Sequence, residues 1–222
     1  MAVNRQRIEA AVLELIEAIG EDPQREGLVN TPRRVAEAYS EFFAGVGADA
    51  RQALGETYPF DGSAPPEPVL VRGLAFRSVC EHHLLPFRGV AHVAYVPDDR
   101  LIGLGRIPAV IEVLANRPQL QERLGEEIAS TLSEALDAAG VLVVLEASHG
   151  CVTMRGPQQA GSTTVTVASR GTLSEPAARA ELMGLIGASA FGARAGAGMA
   201  AAAGSAAAVT AAAGRAGREV SL

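Results

Sequence analysis

Two short segments contain the residue types best suited to bind a transition metal. The first is Cys80-Glu81-His82-His83 and the second is His149-Gly150-Cys151. Together they hold both cysteines of the chain and three of its four histidines. Thiolate sulfur and imidazole nitrogen are ligands that zinc binds in a tetrahedral arrangement. The two segments therefore predict one shared metal site.

The spacing within each segment is compatible with a shared ion. Cys80 and His83 flank two residues, so their ligand atoms lie about one turn of chain apart. If the second segment lies on a strand, His149 and Cys151 point to one face, because strand side chains alternate. A closed structural zinc with all four of these residues as ligands is the alternative, and the spacing alone does not exclude it.

The fourth histidine, His92, lies in the alternating segment 90–94 and is interpreted as an ordinary hydrogen-bonded residue. Free cysteines are often no more than small buried apolar residues. The histidine beside each cysteine favours metal binding over that interpretation.

The composition limits the classes of partner. The chain has 222 residues and a formal net charge of −6, and no basic run stands out. This charge argues against nucleic acid or a membrane as a partner, although a local basic cluster could bind a small anion. Two cysteines that bind a metal must stay reduced, and the N-terminus lacks the apolar core of a signal peptide, so we expect a cytoplasmic protein.

Periodicity divides the chain into four regions. Residues 1–46 are predicted to be helical, with one helix over 4–20 and a second beginning at Thr31-Pro32. The apolar stripe of the first helix consists of Ile8, Val12, Leu15, Ile16 and Ile19. A linker is predicted over 47–67.

Residues 68–186 alternate strand and helix patterns in an order that indicates an α+β fold with an antiparallel sheet. Strand fragments are predicted at 69–71 and 76–79, and helices are predicted to begin at Pro108 and Pro118. The residues expected to face inward on these helices are Val110, Ile111, Leu114, Leu120, Leu124, Ile128, Leu132 and Leu136. The Ala- and Gly-rich segment 187–222 is predicted to be a disordered tail.

Several motifs resemble those of the GTP cyclohydrolase I family, over roughly residues 4–186. They occur in the order and spacing of that family: Thr31-Pro32-x-Arg34-Val35-Ala36, Ser78-x-Cys80-Glu81-His82-His83-Leu84-Leu85-Pro86-Phe87, Tyr95-x-Pro97, Ile102-Gly103-Leu104, Arg117-Pro118-Gln119-x-Gln121-Glu122-Arg123-Leu124 and Glu146-Ala147-x-His149-x-Cys151.

The resemblance implies a fold, an assembly and a reaction. The fold is the tunnelling fold (T-fold), in which four-stranded antiparallel sheets from five subunits close a barrel. Two such rings form a homodecamer with active sites at subunit interfaces, which removes the exposed sheet edges of a single subunit. The reaction converts GTP and water to formate and 7,8-dihydroneopterin triphosphate, the entry step to folates and pterins.

The resemblance also implies the roles of the metal-site residues. Cys80, His83 and Cys151 match three ligands of Zn²⁺, with water in the fourth position. A zinc ion with three protein ligands lowers the pKa of that water to about 7, which makes it able to attack C8 of guanine. His149 matches the residue that donates and accepts protons beside the guanine imidazole. His82 would lie near the ribose.

The remaining site residues are also implied by the resemblance. Glu122 and Gln121 match the positions that bind guanine, although Glu122 without the resemblance would be interpreted as an exposed helix charge. Arg34, Arg106 and Arg155 match phosphate-binding positions, and Arg34 would come from a neighbouring subunit.

One segment departs from the family pattern. Gly105 replaces a serine that holds the ribose, Arg106 replaces a lysine, and Ala109 replaces an arginine at the triphosphate site. Pro108 also lies in this segment, and the sequence leaves its effect on Arg106 open. Two alternatives follow: a paralogue that uses the same zinc chemistry on another guanine nucleotide or stops at a ring-opened intermediate, and a non-catalytic assembly subunit with a structural zinc.

Overall fold

The computed structural model describes residues 3–60 and 66–187. The helices are α1 (Arg5–Ala18), α2 (Thr31–Phe42), α3 (Arg51–Leu54), α4 (Arg106–Ala115), α5 (Gln121–Leu136), α6 (Gly150–Thr153) and α7 (176–187). The strands are β1 (Thr57–Pro59), β2 (Val69–Cys80), β3 (Pro86–Val96), β4 (Arg100–Ile102), β5 (Pro118–Gln119), β6 (Gly140–His149) and β7 (Thr164–Gly171).

The chain divides into two compact units after Ala178. Residues 179–187, the described part of the second unit, are helical. Of the predicted tail at 187–222, only Gly187 is among the described residues. No helix in the described part of the chain is long and apolar enough to span a membrane.

The main sheet has the strand order β5-β2-β3-β6-β7. Within this sheet each neighbouring pair from β2 through β3 and β6 to β7 is antiparallel. This confirms the predicted α+β fold with a four-stranded antiparallel sheet. β5 adds a short parallel pair, in which Pro118 and Gln119 lie beside Val79 and Cys80.

The structure corrects two details of the predicted elements. The helix expected to begin at Pro118 begins instead at Gln121, because Pro118 and Gln119 pair with β2 and Leu120 has an extended backbone. Two strand fragments expected on either side of Arg72-Gly73 form one strand. A register shift interrupts it between Val71 and Leu74, where Gly73 adopts a φ of +72° that favours glycine.

The hydrophobic core lies between one face of this sheet and helices α4 and α5. All but one of the apolar positions expected to face inward on these two helices are buried; the exception is Leu120, which precedes α5 and is half-buried. The buried ones are Val110, Ile111, Leu114, Leu124, Ile128, Leu132 and Leu136. Burial of each such side chain contributes about 1.5–3 kcal/mol to the stability of the fold. Because α4 packs against β2 and α5 packs against β6, this burial holds the two strands in place.

Close approach of β3 and β6 fixes the register that matters for the site. Gly89 lies opposite Ala147, and a Cβ atom at position 89 would lie 1.9 Å from the carbonyl oxygen of Glu146. The same register places Phe87 directly opposite His149. Glycine at position 89 therefore permits the strand pairing that aligns these two side chains.

The N-terminal region differs from its predicted packing. α1 packs against α2, but only Ile16 of its predicted apolar stripe is buried, whereas Leu15 and Ile19 are exposed. The segment expected to be a linker contains α3 and β1, and Leu54 of α3 belongs to the hydrophobic core. These contacts depend on tertiary partners that periodicity does not reveal.

Candidate active site

Three side chains converge at the ends of β2 and β6. The ligand atoms of Cys80, His83 and Cys151 all lie within 4.8 Å of one another. Cys80 is buried, His83 is exposed and Cys151 is half-buried. Among the residues that the structure describes, this is the one group of three or more His, Cys, Asp or Glu side chains that could hold a metal.

A tight loop between β2 and β3 positions Cys80 and His83. The amide of Cys80 donates to the carbonyl of Leu85 at 2.9 Å, and the amide of Leu84 donates to the carbonyl of Cys80 at 2.8 Å. Leu84 adopts a φ of +51°, a left-handed conformation that is unfavourable for a leucine. The loop is therefore held by its own backbone hydrogen bonds in a strained turn that brings His83 back towards Cys80.

An ion pair also anchors this loop to the start of α5. The guanidinium of Arg123 binds the carboxylate of Glu81, and the amide of Glu81 donates to the carbonyl of Gln119 at 3.1 Å. The Nε of Arg123 donates to the side-chain oxygen of Gln119 at 3.0 Å. The loop is thus tied to the helix that carries Gln121 and Glu122.

The second segment does not continue as a strand. β6 ends at His149, and α6 begins at Gly150, so Cys151 lies in a helical turn. The expectation that strand alternation points His149 and Cys151 to one face is therefore wrong. At Gly150 a Cβ atom would lie 2.8 Å from the carbonyl oxygen of Pro86, so the turn passes too close to β3 for a larger residue.

His149 lies beside the three-residue cluster but is not part of it. Its Nε2 atom lies 2.7 Å from Oε1 of Gln121. Its ring stacks on Phe87, with ring centroids 4.6 Å apart and an interplanar angle of 6°. Stacking on Phe87 therefore fixes the plane of the imidazole, and the contact with Gln121 fixes the position of Nε2 within that plane.

The orientation of the Gln121 amide determines the tautomer of His149. The amide nitrogen of Gln121 donates to the carbonyls of Leu145 and Thr164, at 3.0 and 2.9 Å. Carbonyl oxygens only accept hydrogen bonds, so the amide oxygen must face His149. Neutral His149 then carries its proton on Nε2, and Nδ1 is its acceptor atom, to which no described residue donates a hydrogen bond.

Burial shifts the acid–base behaviour of two groups in the site. Desolvation lowers the pKa of His149, against a smaller raising effect of the Glu122 carboxylate, which favours neutral imidazole near pH 7. Desolvation also raises the pKa of the Cys151 thiol, with a further contribution from Cys80. Two thiol groups this close oppose each other's ionisation, and a cation between them would relieve that repulsion. The donor set therefore fits a zinc ion.

Glu122 lies in the first turn of α5 with its side chain exposed. It lines a cavity of about 200 Å³ together with Gly125, Thr166 and Ala168. Its carboxylate is near enough to His149 to affect the pKa of that imidazole. This placement leaves the carboxylate free to accept hydrogen bonds from a ligand beside His149.

The three arginines expected to bind phosphate lie in different places. Arg155 is exposed and close enough to Cys151 for its charge to oppose the rise in the pKa of that thiol. Arg34 on α2 and Arg106 at the start of α4 make no hydrogen bond or ion pair with the cluster in residues 3–60 and 66–187. Pro108 lies in the first turn of α4, where backbone N–H groups lack helical partners, so it leaves the helix intact.

Sequence reasoning assigned no role to Phe87 or Arg123, although both lie in the family motifs. Phe87 is 1% exposed and stacks on His149, and Arg123 anchors the loop of Cys80 and His83. Each contact joins residues more than forty positions apart, and only the strand register and helix packing reveal it. His92 is half-buried and accepts a 3.4 Å hydrogen bond from the amide of Gly73, as expected of an ordinary polar residue.

Comparison with known proteins identifies relatives along most of the chain. The sequence profile of the family described as GTP cyclohydrolase I matches residues 8–187. A protein of Leifsonia xyli subsp. xyli named GTP cyclohydrolase 1 is 63% identical over 188 residues, which cover 84% of this chain and 97% of the relative. GTP cyclohydrolase 1 of Bacillus subtilis is 49% identical over 183 residues, which cover 82% of this chain and 95% of that protein.

Proposed function

The chain belongs to the GTP cyclohydrolase I family, and we propose that its cluster of Cys80, His83 and Cys151 binds a catalytic zinc ion. The protein is a hydrolase that acts on GTP. The proposed reaction opens the guanine imidazole ring at C8, releases formate, and closes a new ring to give 7,8-dihydroneopterin triphosphate. No finding favours the paralogue or the structural-zinc alternative.

The metal proposal rests on the types and positions of the three ligand atoms. Two thiol sulfurs and one imidazole nitrogen within 4.8 Å of one another match the ligands that zinc prefers. His83 is exposed, so the cluster is open to solvent and substrate on one side. When bound, the zinc ion would activate water for hydrolysis as a Lewis acid.

His149 is proposed to transfer protons to and from the guanine imidazole. Its Nε2–H is engaged by Oε1 of Gln121, so proton exchange with the substrate occurs at Nδ1. The lowered pKa keeps the ring neutral and able to accept a proton near pH 7. Stacking on Phe87 fixes the plane of the ring. His82 is exposed, with its ring centroid 6.3 Å from that of His83, and is proposed to contact the ribose.

Glu122 is proposed to bind the guanine base. A carboxylate there would accept hydrogen bonds from the N–H donors of guanine, which adenine does not present in the same way. Gln121 matches the second guanine-binding position, but its side chain is 1% exposed and engaged with His149 and two carbonyls. Its side chain would therefore act on the substrate through His149, which leaves its backbone for direct contact.

Arg34, Arg106 and Arg155 are proposed to bind the triphosphate. Only Arg155 lies close to the metal-binding cluster within one subunit. A homodecamer of two pentamers, in which neighbouring subunits complete each site, would bring the other two arginines to it. A cytoplasmic location is also part of the proposal, since a reducing compartment keeps Cys80 and Cys151 as free thiols.

Turnover of GTP by the purified zinc-loaded protein tests this function. We expect equimolar formate and, after oxidation of the product, pterin fluorescence. The His149→Gln variant should lose both products, and the matched His92→Gln variant should keep them. Absence of formate from GTP, or equal turnover of GMP and GTP, would contradict the proposal.

A further inference from the structure

A cavity of about 630 Å³ borders β2, β3 and α6, and neither of the two arginines that line it has a role in the proposed reaction. Its volume lies within the range of about 300–1,000 Å³ that is typical of small-molecule pockets. Part of its wall is apolar, with Phe42, Val79 and Met154 among the lining residues. Arg77 and Arg88 supply positive charge to the same cavity.

The two arginines face each other across neighbouring strands. Arg77 on β2 is the register partner of Arg88 on β3, so both side chains project from the same face of the sheet. Like charges directly opposite each other on paired strands destabilise a sheet. An anion between them would remove this repulsion.

Carboxylates of the chain do not neutralise this pair. The nearest carboxylate to Arg77 belongs to Glu41 at 3.9 Å, between two exposed side chains, and the guanidinium also lies over the ring of Phe42. The side chain of Arg88 makes no hydrogen bond or ion pair with any residue in 3–60 and 66–187. At least one full guanidinium charge is therefore available to a ligand.

We propose that this cavity binds the phosphate group of a small molecule between Arg77 and Arg88. Guanidinium groups bind phosphate through paired N–H donors, and the hydroxyl of Ser148 on the cavity wall adds a neutral donor. Val79 and Met154 contact the uncharged part of the ligand.

The cavity adjoins the candidate active site. Its lining residues Val79 and Gly150 immediately precede Cys80 and Cys151, and its lining residue Phe87 stacks on His149. The triphosphate of the substrate is assigned to Arg34, Arg106 and Arg155, which lie outside this cavity, so the proposed ligand is a separate phosphorylated molecule that binds beside the substrate.

The test combines calorimetric titration with inorganic triphosphate and measurement of the KM for GTP, at fixed ionic strength. The Arg77→Gln/Arg88→Gln variant should bind inorganic triphosphate at least tenfold more weakly or lose one binding event per chain. The KM for GTP should stay unchanged, because the triphosphate of the substrate is assigned to other residues. A tenfold rise in the KM for GTP would show that the substrate itself fills the cavity and would overturn the proposal. The titration needs no turnover, so its failure is distinguishable from failure of the proposed function.

Two controls separate phosphate binding from loss of fold and from loss of charge. The Arg77→Lys/Arg88→Lys variant keeps both charges and should retain most of the binding. The Arg7→Gln variant removes one exposed arginine from α1, outside the cavity, and should behave as the wild type. Wild-type triphosphate binding by the double glutamine variant overturns the proposal, whether or not its KM for GTP changes.

Discussion

Oε1 of Gln121 lies 2.7 Å from Nε2 of His149 and accepts a hydrogen bond from it, while the amide nitrogen of Gln121 donates to two backbone carbonyls. Those carbonyls belong to Leu145 on β6 and to Thr164 on β7. One buried side chain therefore joins the start of α5, two strands and the imidazole. This arrangement sets which nitrogen of His149 can exchange a proton with a substrate.

We expect Gln121→Met to reduce kcat without abolishing metal binding. A hydrogen bond of this kind contributes about 0.5–1.5 kcal/mol, which corresponds to about a two- to tenfold fall in rate. The fall should appear in kcat more than in KM, because the proposed role of His149 is proton transfer rather than substrate binding. Steady-state kinetics with GTP and metal analysis check both expectations.

Gln119→Met is the matched control for that substitution. Gln119 is also fully buried and also donates to a backbone carbonyl, that of Leu114, but it does not contact His149. Each variant leaves a buried acceptor without its donor and should lose about 1–3 kcal/mol of stability. Because Gln119 also accepts a hydrogen bond from Arg123, which anchors the loop of Cys80 and His83, the zinc content of both variants is measured as well. An equal loss of kcat in the two variants at equal zinc content would show that the contact of Gln121 with His149 has no specific role.

The two adjacent histidines of the β2–β3 loop should behave differently. His83→Gln is expected to remove bound zinc, because the cluster then has only two ligands. His82→Gln should keep about one zinc ion per chain while lowering turnover, since His82 is not in the cluster. Elemental analysis of the purified variants measures this directly, and zinc retention by His83→Gln would contradict the assignment.

Glu122→Gln should raise the KM for GTP. Loss of a charge-assisted hydrogen bond amounts to about 1.5–3 kcal/mol, or about a ten- to hundredfold change in affinity. Glu134→Gln lies on the same helix, where it removes an exposed carboxylate paired with Arg51, and should leave the KM unchanged. Similar KM values for the two variants would count against guanine binding by Glu122.

His92 predicts a pH dependence of stability. Desolvation lowers its pKa in the folded chain. Nδ1 also accepts a hydrogen bond from the amide of Gly73, which a protonated ring could not do. The unfolded chain therefore binds a proton more readily, and this contribution to stability is lost as pH falls below about 6.5. Denaturant unfolding at pH 7.5 and 5.5 should show a smaller loss on acidification in His92→Gln than in the wild type.

The fold could be predicted from local patterns because its core positions are periodic. The apolar positions Leu124, Ile128, Leu132 and Leu136 recur every four residues and are all buried. The helix start predicted at Pro118 is wrong, because proline is compatible with both the first turn of a helix and an edge strand. Pairing of Pro118 with Val79 places it in a strand rather than in a helix, and these two residues are about forty positions apart in the sequence.

The candidate site could be predicted only in part for the same reason. The residue types at Cys80, His83 and Cys151 indicate a metal by their chemistry and spacing alone. The contacts of His149 with Gln121 and Phe87 arise from the approach of α5 and from the register of β3 with β6. No local spacing contains that information.

X-ray absorption at the zinc edge of the purified wild-type protein tests the central claim most directly. A three-ligand catalytic site predicts two sulfur atoms, one imidazole nitrogen and one further light atom that is not a histidine, with a spectrum unchanged in His149→Gln. A shell of two sulfurs and two imidazoles, one of which disappears in His149→Gln, would make the zinc a closed structural site and would contradict the account.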